Sequence, residues 1–284
     1  MIQLQNIAYS YNSRKTLFNG LSLELTEGHV YGLLGKNGAG KSSLIKNIAG
    51  FLFPQKGKCV VNGFNPGKRE TLFLEQLFYI PESCELPGLY IRQLIDIYSC
   101  FYPSFDKGAF HGYLEAFHVD IDGHLARLSF GQRKKVYISF ALAANTKLLI
   151  MDEPTNGLDI PSKLQFRNII TSANRWDKIT IMSTHQVRDL DDLITSILII
   201  DDGELLLFAD KTTISEALFF QTCGSLPQDE YLYSELTPKG IVVIKENKLR
   251  HPSYLDIEIL FNATLADPVK MNGAFAYQKQ TTTV

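Results

Sequence analysis

Gly35-Lys36-Asn37-Gly38-Ala39-Gly40-Lys41-Ser42 fits the spacing G-x-x-x-x-G-K-[ST]. Glycines in such a loop let backbone N–H groups turn inward around phosphate oxygens, and a following helix adds its positive N-terminal end. Lys41 is long enough to reach β- and γ-phosphates, and Ser42, followed by Ser43, can offer a hydroxyl to magnesium. A purely structural glycine turn is the alternative. The flanks argue against it, because an apolar run from Val30 to Leu34 enters the loop and Leu44, Ile45 and Ile48 follow at helical spacing. A second apolar run, Leu148-Leu149-Ile150-Met151, ends in Asp152-Glu153. Beside a phosphate loop, Asp152 can hold magnesium through water, and Glu153 can take a proton from an attacking water. Standing alone, the same pair would read as solvated turn chemistry.

Leu128-Ser129-Phe130-Gly131-Gln132 lies just upstream of that acidic strand, where kinases, small GTPases and helicases have no use for it. With it, the chain resembles the ATP-binding cassette family from about Ile2 to Asp210. The family's usual pentapeptide is Leu-Ser-Gly-Gly-Gln. Pro154-Thr155-Asn156-Gly157-Leu158-Asp159 matches the family's D-loop, Ser183-Thr184-His185 its switch histidine, and Tyr11 stands where the family stacks an aromatic on adenine. The resemblance implies ATP and Mg2+ as cofactors, with Gly35, Asn37, Gly38, Ala39, Gly40, Lys41, Ser42 and Ser43 around the nucleotide. It also implies two cassettes packed head to tail, so that Ser129, Gly131 and Gln132 face the γ-phosphate bound by the other subunit. Each chain then holds half of each site and must pair with a second copy or a paralogous cassette.

Two positions depart from the family pattern. Phe130 replaces the first signature glycine, while Gly131, which must approach phosphate closely, is kept. Ile80-Pro81-Glu82 falls where the family has a magnesium-linked Gln; Glu82 can accept a hydrogen bond there but donates one only when protonated. His185 read alone would be an ordinary core histidine, and Tyr11 a strand-edge aromatic. The resemblance gives them γ-phosphate contact and adenine stacking.

These residues need an α/β frame. Ile2, Leu4 and Ile7 with Leu21, Leu23 and Leu25 predict antiparallel strands, and strand–glycine turn–helix opens a parallel unit. Lys178 to Ser183 predicts a further buried strand after a helix over Ser162–Ala173, and Asp202-Gly203 a hairpin turn. The fold expected is a P-loop NTPase core, a mixed sheet with an N-terminal antiparallel part, over residues 1–210. An inserted helical subdomain occupies about 86–145. It contains an amphipathic helix from Ile91 stopped by Pro103, and helices over Asp106–Phe117 and Gln132–Ala144. Residues 211–284 read as a C-terminal accessory segment without motifs, with a strand near Gly240–Lys245, a helix near Asp256–Thr264 and a frayed end from Gln278 to Val284. Deleting it is expected to leave nucleotide binding largely intact.

Composition narrows the partners. Hydrophobic residues make up 45% and charged residues 20% of 284, and net charge is −2, which excludes extensive disorder and a sequence-wide basic footprint for nucleic acid. No apolar run reaches the roughly 18 residues of a membrane span, and no secretory signal is visible at Met1 to Asn6. Cys59, Cys84, Cys100 and Cys223 lack metal-ligand spacing and read as reduced, mostly buried thiols. The function expected is the ATP-hydrolysing subunit of a transporter whose transmembrane permease is a separate chain. It would lie in the cytoplasm, peripheral on the inner face of the membrane. The alternative is a soluble cassette ATPase acting on ribosomes or nucleic acid, which the short insert, the absence of heptads and the single cassette disfavour. Tyr102-Pro103-Ser104-Phe105-Asp106 and Asp256-Ile257-Glu258-Ile259-Leu260-Phe261 resemble cassettes paired with exporter-type permeases. Aromatic density in the insert further predicts exposed rings between Leu86 and Tyr102 that meet an intracellular helix of the permease.

Overall fold

Side chains two residues apart on a strand share a face, and this alternation divides the interior in two. The structure is a computed structural model describing residues 1–12, 15–173 and 177–276. Strands β1 (Ile2–Asn12), β2 (Lys15–Leu25) and β4 (Lys56–Val61) form an antiparallel sheet in the order β2-β1-β4. The central sheet runs β5-β6-β7-β3-β8-β9, built from β3 (His29–Leu34), β5 (Leu77–Ile80), β6 (Leu148–Asp152), β7 (Ile179–Thr184), β8 (Ser196–Asp201) and β9 (Glu204–Asp210). Its pairings are parallel except for the β8–β9 hairpin, where Asp202 and Gly203 both take positive φ, 43° and 79°. Two consecutive positive φ values are the type I′ geometry that suits strand twist.

On β6, Leu149 and Met151 enter one apolar cluster while Leu148 and Ile150 enter the other; Ile197 and Ile199 oppose Leu198 and Ile200 on β8 in the same way. One face is covered by the antiparallel sheet and α1 (Lys41–Ile48), through Leu44, Ile45 and Ile48. A short helix α2 (Thr71–Leu74) precedes β5. The other face carries the insert, α3 (Ile91–Tyr98), α4 (Lys107–Ala116) and α5 (Phe130–Ala143), together with α6 (Ile160–Ala173). Rings bond the insert internally, Phe105 lying 4.8 Å from Phe140, and tie it to the central sheet, Tyr102 lying 5.2 Å from Phe78 of β5.

Two insert helices differ in extent from the expectation. α3 ends at Tyr98 and tightens into a 3-10 turn to Phe101, with Tyr102 extended at φ −123° and ψ 98°. The residue before a proline is pushed out of the helical region, so Pro103 acts through Tyr102. α5 begins at Phe130 rather than Gln132. Ser129 accepts from the Gln132 amide at 3.2 Å and Gln132 Oε1 accepts from the Ser129 amide at 3.0 Å, a capping box that places Gln132 third in the helix.

After β9 come α7 (Lys211–Ala217), β10 (Leu218–Cys223), β11 (Tyr233–Thr237), β12 (Gly240–Glu246), α8 (Ile257–Ala266) and α9 (Pro268–Ala276), the three strands ordered β10-β12-β11. Ile214, Leu218, Ile257, Leu260 and Met271 join the same cluster as Met151 and Ile197, so the interior runs on without a break. Arg188 Nε donates to Glu258 at 2.6 Å and Lys211 Nζ to Asp191 at 2.6 Å, fastening this segment to the turn that follows His185. The expected frayed end, Gln278 to Val284, lies outside the described residues. The four thiols are free, but only Cys59 and Cys84 are buried; Cys100, in the 3-10 turn, is exposed and Cys223 partly so.

Candidate active site

Sheet register brings the chemistry-bearing residues to one edge. Leu34 pairs with Thr184, Asp152 with Ser183 and Ile80 with Met151, so these parallel strands end nearly level. The segments leaving them contain Gly35, Glu82, Glu153 and His185. A cleft of about 630 Å³ at that edge is lined by Tyr11, Asn37, Gly38, Gly40, Lys41, Ser42, Ser43, Glu82, Glu153 and His185, and also by Asn12, Leu17 and Lys36. Gly35 and Ala39 form the floor of the loop. A Cβ on Gly35 would stand 2.5 Å from the Ile200 oxygen, and Ala39 is buried. Gly40 takes φ 107° immediately before α1, a left-handed conformation that favours glycine.

The loop is already shaped around its lysine. Lys41 is buried, and its Nζ donates to Gly35 O at 2.7 Å and Lys36 O at 3.1 Å. Burial lowers its pKa, against the opposing pull of the Glu153, Asp152 and Glu82 carboxylates. The first amides of α1 have no side-chain cap, which leaves them to point at an anion. Tyr11 is 63% exposed, stacks edge-on against Tyr9 and bonds Ser43 Oγ through its hydroxyl at 2.8 Å.

Glu153 sits in a strained turn. Its φ is +47°, its amide donates to Ser183 O at 3.1 Å, and its carboxylate pairs with His185 Nδ1 at 2.8 Å. An ionised carboxylate only accepts, so Nδ1 carries the hydrogen of that bond. Asp152 is buried beside it, held by the Ser183 hydroxyl and by Tyr79 OH at 3.4 Å. Tyr79 is pushed well above its ordinary pKa, by burial first and the Asp152 charge second, so it stays a donor. Glu82 lines the cleft with Oε1 accepting from Asn156 Nδ2 at 3.2 Å.

Ser129, Gly131 and Gln132 stand apart from this cleft, at the start of α5 against the 157 turn. A Cβ on Gly131 would lie 2.9 Å from Gly157 O, and one on Gly157 would lie 2.4 Å from the Phe130 ring. Two further residues belong to the neighbourhood, one absent from the sequence reading and one named there only within the D-loop match. Asn156 meets Glu82, and Lys134 Nζ donates to Glu153 O at 2.6 Å. Lys134 carried a signal: it shares a helical row with Ile138 and Ala141, a place for an apolar side chain.

The donor set fits a magnesium nucleotide. Among the described residues no group of three or more His, Cys, Asp or Glu side chains could hold a metal ion unaided. Ser42, Asp152 and Glu82 offer a hydroxyl and carboxylates at the edge of a phosphate-shaped loop, which suits an ion that takes its remaining ligands from phosphate and water.

Residues 18–156 match the protein family described as ABC transporter. The Bacitracin transport ATP-binding protein BcrA of Bacillus licheniformis is 30% identical over 213 residues, covering 72% of this chain and 68% of that protein. The chain belongs to the ABC transporter ATP-binding family. It is therefore an ATPase of the cassette type, with the P-loop NTPase fold. The Linearmycin resistance ATP-binding protein LnrL of Bacillus subtilis (strain 168) is 29% identical over 252 residues, covering 85% of this chain and 76% of that one. A dimeric ATP-binding cassette solved in a post-hydrolysis state with ADP and Pi superposes with a TM-score of 0.64. It is 20% identical and covers 74% of this chain and 98% of that one. Among the described residues no helix of this ABC ATPase is long and apolar enough to cross a membrane.

Proposed function

We propose that this chain binds MgATP in the cleft and hydrolyses it while paired head to tail with a second cassette, powering a separate exporter-type permease. The observation that carries the reading is the level edge of β3, β6 and β7, which places Lys41, Glu153 and His185 around one opening. Magnesium, when bound, supplies positive charge to the β- and γ-phosphates. Ser42, Asp152 and Glu82 are the residues that would hold it. Lys41 and the first amides of α1 compensate the phosphate charge, and Tyr11 offers its exposed ring to adenine. Glu153 takes a proton from the attacking water, and His185 orients that carboxylate through Nδ1 while its other ring nitrogen, when protonated, would donate to the γ-phosphate.

The signature serves the partner's nucleotide. At the start of α5, the amides of Phe130 and Gly131 have no intrahelical acceptor, and Ser129 retains its hydroxyl hydrogen beyond the cap it accepts. Permease contact is assigned to a groove of about 440 Å³ lined by Phe51, Arg69, Thr71, Tyr79, Phe101 and Tyr102, at the seam between core and insert. Phe51, Tyr90, Tyr98 and Phe101 are exposed around it and along α3, which suits a docked helix. Bacitracin transport and linearmycin resistance, the names of two relatives, support export. The ATPase unit spans residues 1–210 with its helical subdomain at 86–145; 211–284 is accessory. The chain would lie on the inner membrane face through its permease.

Glu153→Gln keeps the shape of the base but not its proton affinity. ATP should still bind, turnover should drop by roughly 10²-fold or more, and a dimer with two ATP should accumulate on size exclusion. Turnover at the native rate would place water activation elsewhere.

A further inference from the structure

Lys134 is a wholly buried cation that the reaction above does not use. A buried ammonium needs partners for its hydrogens, and these come from two separate segments. Nζ donates to the main-chain oxygen of Glu153 at 2.6 Å and to that of Glu82 at 3.2 Å, with the Phe130 ring 5.9 Å away. One acceptor lies in the turn after β6, the other in the loop after β5, and the donor belongs to the helix opened by Ser129. Glu153 is also a residue held at φ +47°, a conformation that persists only where its surroundings enforce it. Asn156 Nδ2 on Glu82 Oε1, at 3.2 Å, ties the same two segments a second time from the side-chain level. Methionine of similar length would fill this volume without desolvating a charge, so what lysine contributes lies in its ammonium.

We propose that Lys134 is a positioning residue whose ammonium fastens the Glu82 loop and the Glu153 turn to the signature helix, so that the three nucleotide-facing segments move as one body. The inference rests on the reading of Glu153 as the base and of Glu82 as a cleft residue. Charged donors bind carbonyls more strongly than neutral ones, and the two carbonyls flank the side chains that must stay aligned.

Lys134→Met tests it by steady-state kinetics and by hydrogen exchange of the nucleotide-free protein. Expected are a kcat about tenfold lower, an ATP dissociation constant within twofold of native, and exchange at least fivefold faster in both 81–84 and 153–157, with β3 and β7 unchanged. Lys134→Gln, which keeps two N–H donors but no charge, should fall between. Native kcat, faster exchange in only one segment, or faster exchange throughout β3 and β7 would each overturn the proposal. So would failure of both variants to fold, since Lys134 would then be only a core residue. The exchange measurement needs no turnover. If the Glu153→Gln experiment fails, the base assignment falls, while the fastening of the two segments is still decided.

Discussion

Lys41 already directs its ammonium at Gly35 O and Lys36 O, so one of its three hydrogens is left for an anion in the cleft. Removing it in Lys41→Ala leaves the loop carbonyls unpaired and the phosphate charge uncompensated. A hydrogen bond to a charged group contributes roughly 1.5–3 kcal/mol, so ATP affinity should fall by roughly 10- to 150-fold in a direct binding titration. Unchanged affinity would remove Lys41 from the site. The pH dependence has a definite sign. Burial lowers the Lys41 pKa, so rising pH discharges it earlier than a free lysine near 10.4, and native ATP affinity should weaken on the alkaline side before that value. Much at this scale was legible in sequence: the phosphate loop announces itself by type and spacing, the acidic pair gains meaning beside it, and His185 was legible only through the family resemblance. Lys134 was not, nor was the bond that Asn156 makes from its D-loop, since the partners are a backbone oxygen 19 residues away and a side chain 74 residues away, which no local spacing encodes.

At the scale of elements, the proposed permease contact lies at the seam between α2, β5 and the turn after α3. Phe101 is 60% exposed there, while Tyr102 turns inward against Phe78 and Phe140. Phe101 thus gives its ring to the proposed docking groove, while Tyr102 lines that groove and also anchors in the insert's core. Phe101→Glu should cut co-purification with the permease several-fold while leaving ATP affinity of the isolated chain unchanged. Undiminished co-purification would move the permease contact elsewhere. The insert's helices were visible in their periodicity, but the start of α5 was misplaced by two residues. An apolar period marks the buried face of a helix, whereas the true first turn is set by the Ser129–Gln132 capping box.

For the whole molecule, continuity of the interior matters more than any boundary drawn along the chain. α8 packs on β8, β9 and the turn after His185, and its Ile257 and Leu260 share a cluster with Leu190, Leu193 and Ile197. A chain ended at Asp210 would expose such residues; two of them cost roughly 3–6 kcal/mol, which lowers Tm by roughly 6–24 °C. Thermal unfolding of that truncation should show the drop, and below its Tm nucleotide affinity should persist. A truncation as stable as the full chain would make 211–284 a loosely tethered appendage. This packing was illegible beforehand because the segment bears no chemical motif, and its apolar residues find their partners only through the sheet. Finally, the exposed thiol of Cys100 lines the groove beside Phe101, whereas Cys59 and Cys84 are sealed in the interior. Once the half-exposed Cys223 is replaced by serine, Cys100 is the one exposed thiol left, at the proposed docking groove. An environment-sensitive fluorophore attached there would report subunit arrival and departure in real time, with no cysteine engineered in.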